Sequence, residues 1–493
     1  MRKYLLALFC GLLFPLGFAP FDYWPLTILS ISLALYLVSE KVENNTFLLG
    51  LFYGIGQWGF GISWVYVSIH YHGNQGIFSS FLITSAFVFF LSLYTGLTFY
   101  LIKKFRTSNK NLNYLLLFPV IWVTVEIIRS YLFTGFPWLI VGASLAGTSV
   151  GGWIPILGTY GATILAVMIS GCLVLFFRNK KKMHWSPALI IVIILLSSFT
   201  LNKINWTEHT GEALNVALVQ GNISQEIKWH PTQKEESFNI YTELSEPFWL
   251  SDLIIWPETA IASKYHRTNN FIRKINKKRQ GPSAFFMTGI VKENTNSGTY
   301  FNSILLIDNK HRFYNKHHLV PFGEYLPLRK ILYHPLRIFN IPISNFSSGK
   351  YDEKNLQTSK GNFGMSICYE DAYGNEVRRS MPDANILINV SNDAWFGNSM
   401  APHQHLQIAR MRAIENGRYF LRATNNGISA IIDNRGKIIS RSPQFEKHVL
   451  NVNVALFTGA TPYSKYGNMP LLIFFALFTL INIIKRRLFL KIT

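Results

Sequence analysis

The feature that most constrains this chain is a succession of apolar runs separated by short polar loops. The runs cover residues 4–19, 25–38, 47–69, 76–102, 114–133, 156–177, 187–201 and 469–484. About 20 mostly apolar residues suffice for a helix to cross a bilayer. A single run of this kind could be a core helix, but eight of them, seven consecutive, predict a membrane bundle. The second and seventh are short.

Lys and Arg are distributed asymmetrically among the loops. Arg2 and Lys3 precede the first run and Lys41 follows the second. Lys103, Lys104, Arg106 and Lys110 follow the fourth, and Arg178, Lys180, Lys181 and Lys182 the sixth. Lys485, Arg486, Arg487 and Lys491 lie beyond the eighth. The intervening loops have none, so the positive-inside rule predicts both termini in the cytoplasm. The long segment after the seventh run then lies outside, which in a Gram-negative cell is the periplasmic side of the inner membrane. This distribution accounts for much of the net charge of +21, so nucleic acid is not the expected partner.

The basic, apolar N-terminus is similar to a signal peptide, and "LLALFC" to a lipoprotein acceptor site. Phe9 is too bulky for a small-residue cleavage site before Cys10, and more apolar runs follow, so a first membrane helix is expected. Of three cysteines, Cys10 and Cys172 lie in apolar runs and only Cys368 in the polar part, which excludes a disulfide framework. Within the fifth run Glu126 and Arg129 are three apart and are expected to pair inside the bundle. In the outer loop that follows, the Gly and Pro of "GFPWL" break the helix and are candidates to line a lipid entrance.

The organisation expected is a bundle of seven spans over 1–205, an outer domain over 213–457, and a last helix with its tail over 466–493. In the outer domain, apolar strand-like segments ("ALNVALVQGNI", "SDLIIWPETA", "SAFFMTGIV", "YFNSILLID", "NFGMSICYED", "ANILINVSNDAWF") alternate with helical spacing, as in "HQHLQIARMRAIENGRYF". "GISAIIDNRGKIIS" reads as a strand pair turning at Asp433–Gly436. The pattern predicts an α/β layered domain around a buried sheet.

Three segments deliver reactive side chains near strand ends. "LIIWPETA" delivers Glu258 just after a proline, "YNKHHLVPFGEYLP" carries Lys316 and Glu324, and "GMSICYED" ends at Cys368. Each alone has a plain structural reading: a surface acid, a surface base, a buried thiol. Together they offer a general base, a cation and a nucleophile. Lys316 is expected to lower the thiol pKa. Lys316 and the backbone N–H of Tyr369 are natural oxyanion donors.

The order Glu, Lys, Cys within "WPET", "KHHLVPFGE" and "CYED" resembles the nitrilase superfamily. With "FAPFDYWPL", "SWVYVSIH", "GFPWL", "VQGNI" and "NVSNDAWFG", the chain resembles the apolipoprotein N-acyltransferase family over nearly its whole length. Asn426 stands where that family often has Thr. The resemblance implies an α-β-β-α sandwich beside the bundle, and catalytic Glu258, Lys316 and Cys368 supported by Glu324, Tyr369 and Glu370; Asn302 in "YFNSILL" is expected either to orient the Glu258–Lys316 pair or, as a buried amide, to satisfy backbone. It also implies lipid contact at Trp229 and Trp138. A phospholipid, typically phosphatidylethanolamine through its sn-1 chain, would acylate Cys368, and the thioester would acylate the α-amine of an S-diacylglyceryl-cysteine at the start of an apolipoprotein. A monomer without cofactor or metal is expected. His317, His318, His403 and His405 lack ligand-like spacing. Lys228, Lys264 and Arg267 are further basic residues for which headgroup contact is an open reading. An amidase or nitrile hydrolase of the same superfamily would share the three residues. A transporter would need more ionisable residues in its spans.

Overall fold

The computed structural model describes residues 1–493 except 40–44, 179–184, 229, 231–233, 280–283, 295–296, 309, 328, 331–344, 354 and 493. Trp229, Lys41, Lys180, Lys181 and Lys182 therefore lie outside the described residues.

Helices fall on all eight apolar runs: α1 (Arg2–Leu13), α2 (Trp24–Ser39), α3 (Thr46–Gly61), α4 (Ile77–Phe105), α5 (Phe118–Tyr131), α6 (Ile154–Arg178), α7 (Ser186–Leu201) and, at the far end, α11 (Met469–Ile492). Among the described residues, three helical stretches are long and apolar enough to cross a membrane: Ile77–Phe105, Lys110–Thr134 and Gly151–Arg178. Trp24–Val38, Ser186–Leu201 and Met469–Ile481 are shorter apolar helices. Two expected runs stop early. Pro15 tightens the end of the first into a 3-10 turn over Phe14–Gly17, and the third stops at Gly61 rather than running on to residue 69.

Glu126 and Arg129 are both buried, but no direct ion pair joins them. Glu126 accepts hydrogen bonds from the Val141 N–H, the Trp122 indole and the Thr163 hydroxyl. Arg129 donates to the carbonyls of Phe136 and Trp138 and lies over the Trp58 ring, 4.7 Å from its centroid. Partners for both charges are needed in an apolar bundle. Here those partners pin the "GFPWL" loop to α5.

The outer domain is built on two sheets. In the first, β13 (His448–Gly459), β1 (Thr207–Gln220), β2 (Leu253–Ile255), β4 (Phe285–Asn294), β5 (Thr299–Ile307) and β6 (His311–Asn315) lie in that order, with β3 (Ile261–Lys264) also on β4. In the second the order is β12 (Ile438–Arg441), β11 (Ala430–Ile432), β10 (Phe420–Thr424), β9 (Ile386–Ser391), β8 (Gly361–Ile367), β7 (Leu356–Thr358).

Strand alternation sorts the apolar side chains into layers. Val216, Leu218, Leu253, Ile255, Met287 and Ile304 of one sheet meet Phe363, Met365, Ile367, Ile388 and Val390 of the other in a core between the sheets. Ala217, Val219, Ile254 and Phe286 point the other way, onto α8 (Lys234–Ser245) and α9 (Asn269–Lys278). Leu387 and Phe420 point outward onto Leu406, Ala409 and Ala413 of α10 (Ala401–Asn416). The result is the expected four-layer α-β-β-α sandwich. The opposite side of α10 presents Ile408, Met411 and Ile414 to the helical bundle. That helix is therefore apolar on two sides and joins the two parts.

Candidate active site

Glu258 follows β2. Trp256 donates its N–H to Met287 O at 2.8 Å. Pro257 has no N–H, so the ladder ends there. Thr259 takes φ +47°, turning the chain back toward β3. Gly289 of β4 permits this turn, because a Cβ there would lie 2.6 Å from Glu258 Cα and 2.3 Å from Thr259 N. The buried Glu258 carboxylate accepts Asn302 Nδ2 at 2.7 Å.

Lys316 follows β6 and is held at both ends of its peptide unit: its N–H donates to Asn302 O and its carbonyl accepts from Gly349, each at 2.8 Å. Its ammonium is 1% exposed. It lies 2.8 Å from Glu324 Oε2 and 3.7 Å from Glu258 Oε1. Burial works against this charge, but Glu324 and Glu258 outweigh it and hold the lysine above its ordinary range. Glu324 also accepts from Asn302 Nδ2 and from the Val320 N–H, both at 2.8 Å. It thus serves both as partner of Lys316 and as anchor of its own loop. Asn302 bridges the two carboxylates.

Cys368 closes β8 from the second sheet. It has φ +51°, a left-handed conformation costly for a residue with a Cβ, and opens a 3-10 turn over Cys368–Ala372. Glu370 holds this turn. Its carboxylate accepts the N–H groups of Ile367 (2.7 Å), His317 (2.7 Å) and His318 (3.1 Å) and the Tyr314 hydroxyl (3.0 Å). Burial pushes Glu370 up to about 7, opposed by Lys316 and those N–H donors.

Lys316 acts on the thiol in the expected direction, but burial outweighs it. Burial pushes Cys368 well above the usual cysteine range, Glu258 adds to this, and Lys316 offsets only part of it. Burial here disfavours the charged form of the group.

The Tyr369 hydroxyl donates to Gly135 O at 3.2 Å, and its ring stacks with Trp138, centroids 6.5 Å apart. Trp138 is only 2% exposed. Its indole donates to Gln404 Oε1 at 2.7 Å, and Trp64 donates to the same oxygen at 3.1 Å. Trp138 therefore packs at the junction of bundle and outer domain rather than on an open surface. Lys228 is buried, not at a headgroup surface. Lys264 is bound to Glu293 and Tyr300.

A charged quartet behind the Cys368 turn escaped the sequence reading. His405 lies between Asp371 (2.8 Å) and Asp393 (3.2 Å), and Arg422 reaches both acids (3.3 and 2.8 Å). All four side chains are essentially buried. The acids hold His405 above its ordinary range against burial and Arg422. Arg422 and His405 hold Asp393 below its own against burial. The available signal was Arg422 itself, a lone charge in the otherwise apolar "YFLRAT".

Glu258, Asn302 and Lys316 from one sheet thus meet Cys368 and Glu370 from the other at one edge of the sandwich, beside the "GFPWL" loop. A family model described as the apolipoprotein N-acyltransferase N-terminal domain matches residues 10–172, and one described as carbon-nitrogen hydrolase matches 215–461. An apolipoprotein N-acyltransferase from Methylococcus capsulatus is 37% identical over 471 residues, covering 95% of this chain and 94% of the relative. Relatives of the same description from Haemophilus influenzae (37% over 506 residues, 98% and 96% covered) and Coxiella burnetii (37% over 483 residues, 97% and 99% covered) align over a similar extent. With a membrane-type helical part, a two-sheet domain and full-length similarity of this order, the chain belongs to the apolipoprotein N-acyltransferase family, an enzyme family.

Proposed function

We propose that this enzyme transfers a fatty acyl chain from a phospholipid to the α-amine of an N-terminal S-diacylglyceryl-cysteine on an apolipoprotein, in two half-reactions through a thioester on Cys368. The observation that carries this reading is the convergence of Glu258, Lys316 and Cys368 from two sheets in a chain of this family.

In the first half-reaction Glu258 takes the Cys368 proton as the sulfur attacks the ester carbonyl. Lys316 and the Tyr369 N–H receive the developing oxyanion; one such donor contributes about 3 kcal/mol to the barrier. Collapse expels the lysophospholipid oxygen, which takes the proton from Glu258. In the second, the amine attacks the thioester, Glu258 accepts its proton, and the thiolate leaves and is reprotonated. Asn302 keeps the Glu258 carboxylate aimed, Glu324 fixes Lys316, and Glu370 braces the turn. The donor is read as phosphatidylethanolamine giving its sn-1 chain.

Both substrates are held in a bilayer by acyl chains, at about 0.8 kcal/mol per buried CH₂, so the chemistry belongs at the membrane. Eight spans, cytoplasmic termini and an outer domain over 213–457 on the periplasmic face of the inner membrane fit the loop charges, with the enzyme acting as a monomer. Trp138 flanks the proposed lipid route as a packing neighbour of Tyr369, and Trp229 is kept as a lipid-contact residue on the family resemblance alone.

The test is reconstitution with phosphatidylethanolamine vesicles and a diacylglyceryl-peptide. Intact-mass analysis is expected to show a hydroxylamine-labile acyl adduct that Cys368→Ala lacks. Amine acylation at the parent rate by Cys368→Ala would sink the assignment.

A further inference from the structure

Lys228 ends a short helix, Gln225–Lys228, just after β1. It is 1% exposed. Among the described residues its ammonium makes one hydrogen bond, to the main-chain carbonyl of Glu258 at 3.0 Å. A lysine taken from water in this way needs a reason. It sits at the turn that aims the acid of the site.

The charges around it supply the reason. Two carboxylates, Glu258 and Glu324, face one ammonium, Lys316. With both acids ionised, one negative charge is left over in a buried pocket. Moving the thiol proton to Glu258 does not change the sum. It moves the excess charge onto sulfur, while Lys316 stays bonded to Glu324. A second cation beside the Glu258 turn offsets that excess in both states.

We propose that Lys228 is a positioning residue for the acylation step, tethering the Glu258 turn through its carbonyl and supplying, beside Lys316, further counter-charge to the Cys368 thiolate. The inference rests on the reading of Cys368 as nucleophile. The charged and titratable groups that act on Cys368 are Glu258, Lys316, Asp393 and Arg422, and Lys316 in turn faces Glu324 and Glu370. Burial pulls the Lys228 ammonium down to about 8, and Glu258 and Cys368 are the charges that oppose this.

The experiment uses the full chain in detergent or vesicles. Alkylation of Cys368 by iodoacetamide is followed by mass against pH, with single-turnover acylation from phosphatidylethanolamine vesicles in parallel. Lys228→Met is expected to displace the alkylation profile upward by about one pH unit and to slow acylation roughly tenfold, while Lys228→Arg restores both in large part. Lys228→Gln replaces the Met variant if the latter does not fold. A neutral variant whose alkylation profile superimposes on that of the parent overturns the proposal. So does an equal loss in the Met and Arg variants with the profile unmoved, which is the mark of a purely structural tether. If Cys368→Ala still acylates, the nucleophile reading fails. If Cys368→Ala is inert and Lys228→Met behaves as the parent, only the Lys228 inference fails.

Discussion

Glu370 accepts the backbone N–H of His317 at 2.7 Å, and so ties the turn that carries Cys368 to the strand end that carries Lys316. The same carboxylate holds Ile367 and His318. Glu370→Ala strands three N–H donors, and each buried unmet donor costs about 1–3 kcal/mol. The variant is expected to have a lowered thermal midpoint and no detectable acyl adduct by intact mass. Retained stability with full adduct formation would show that the turn holds itself.

Glu370 also gives a pH dependence. Burial raises its folded-state pKa to about 7, against about 4.3 for an unperturbed Glu. A carboxyl raised on folding contributes stability that is fully present below the unfolded value and is lost as pH rises toward the folded one. A fall in thermal midpoint between about pH 4 and about pH 7 is expected, and it should be smaller in Glu370→Gln. Superimposable melting profiles for the two proteins would contradict this.

Lys316→Met leaves Glu258 and Glu324 without their shared cation. Breaking a buried pair from one side costs about 3–5 kcal/mol of stability. Losing an oxyanion donor costs a further factor of about 10²–10³ in rate. Thermal unfolding and single-turnover acylation measure the two separately. A rate within a few-fold of the parent would remove Lys316 from the chemistry.

Gln404→Leu takes the shared acceptor from two indoles, Trp64 and Trp138, and the donor that Gly61 O receives at 3.1 Å. A loss of about 1–3 kcal/mol is expected, with faster limited proteolysis at the junction of the outer domain and the bundle. Proteolysis unchanged from the parent would mean that apolar packing alone holds that junction.

Much of the site was legible because its residues sit in short, chemically dense stretches. Proline after a three-residue strand marked Glu258, and an apolar strand running into Cys-Tyr-Glu-Asp marked Cys368 and Glu370. The Asp433–Gly436 turn was equally local: Asp433 N–H donates to Lys437 O, and Gly436 takes φ +79°.

What escaped depends on residues far apart in the chain. β1 begins at Thr207, before the expected Ala213, because β13 extends past a bulge to pair with it. The sign of the Cys368 shift follows from burial, which no local pattern reports. Lys228 in "QEIKWHP" reads as a surface charge until the Glu258 carbonyl is placed above it. The Asp371–His405–Asp393–Arg422 quartet needs four separate elements to come together.

The acid and the cation ride on one sheet and the sulfur on the other, so the apolar layer between them acts as a spacer gauge. Its thickness is set by side chains such as Met287, Ile304, Met365 and Ile388, none of which carries a reactive group. Protein interiors are close-packed, so one methylene more or less in that layer is felt as a shift of its walls. Enlarging or trimming such a side chain retunes the gap between Glu258 and Cys368. The separation of acid and sulfur is thus inherited from the volume of plain hydrocarbon.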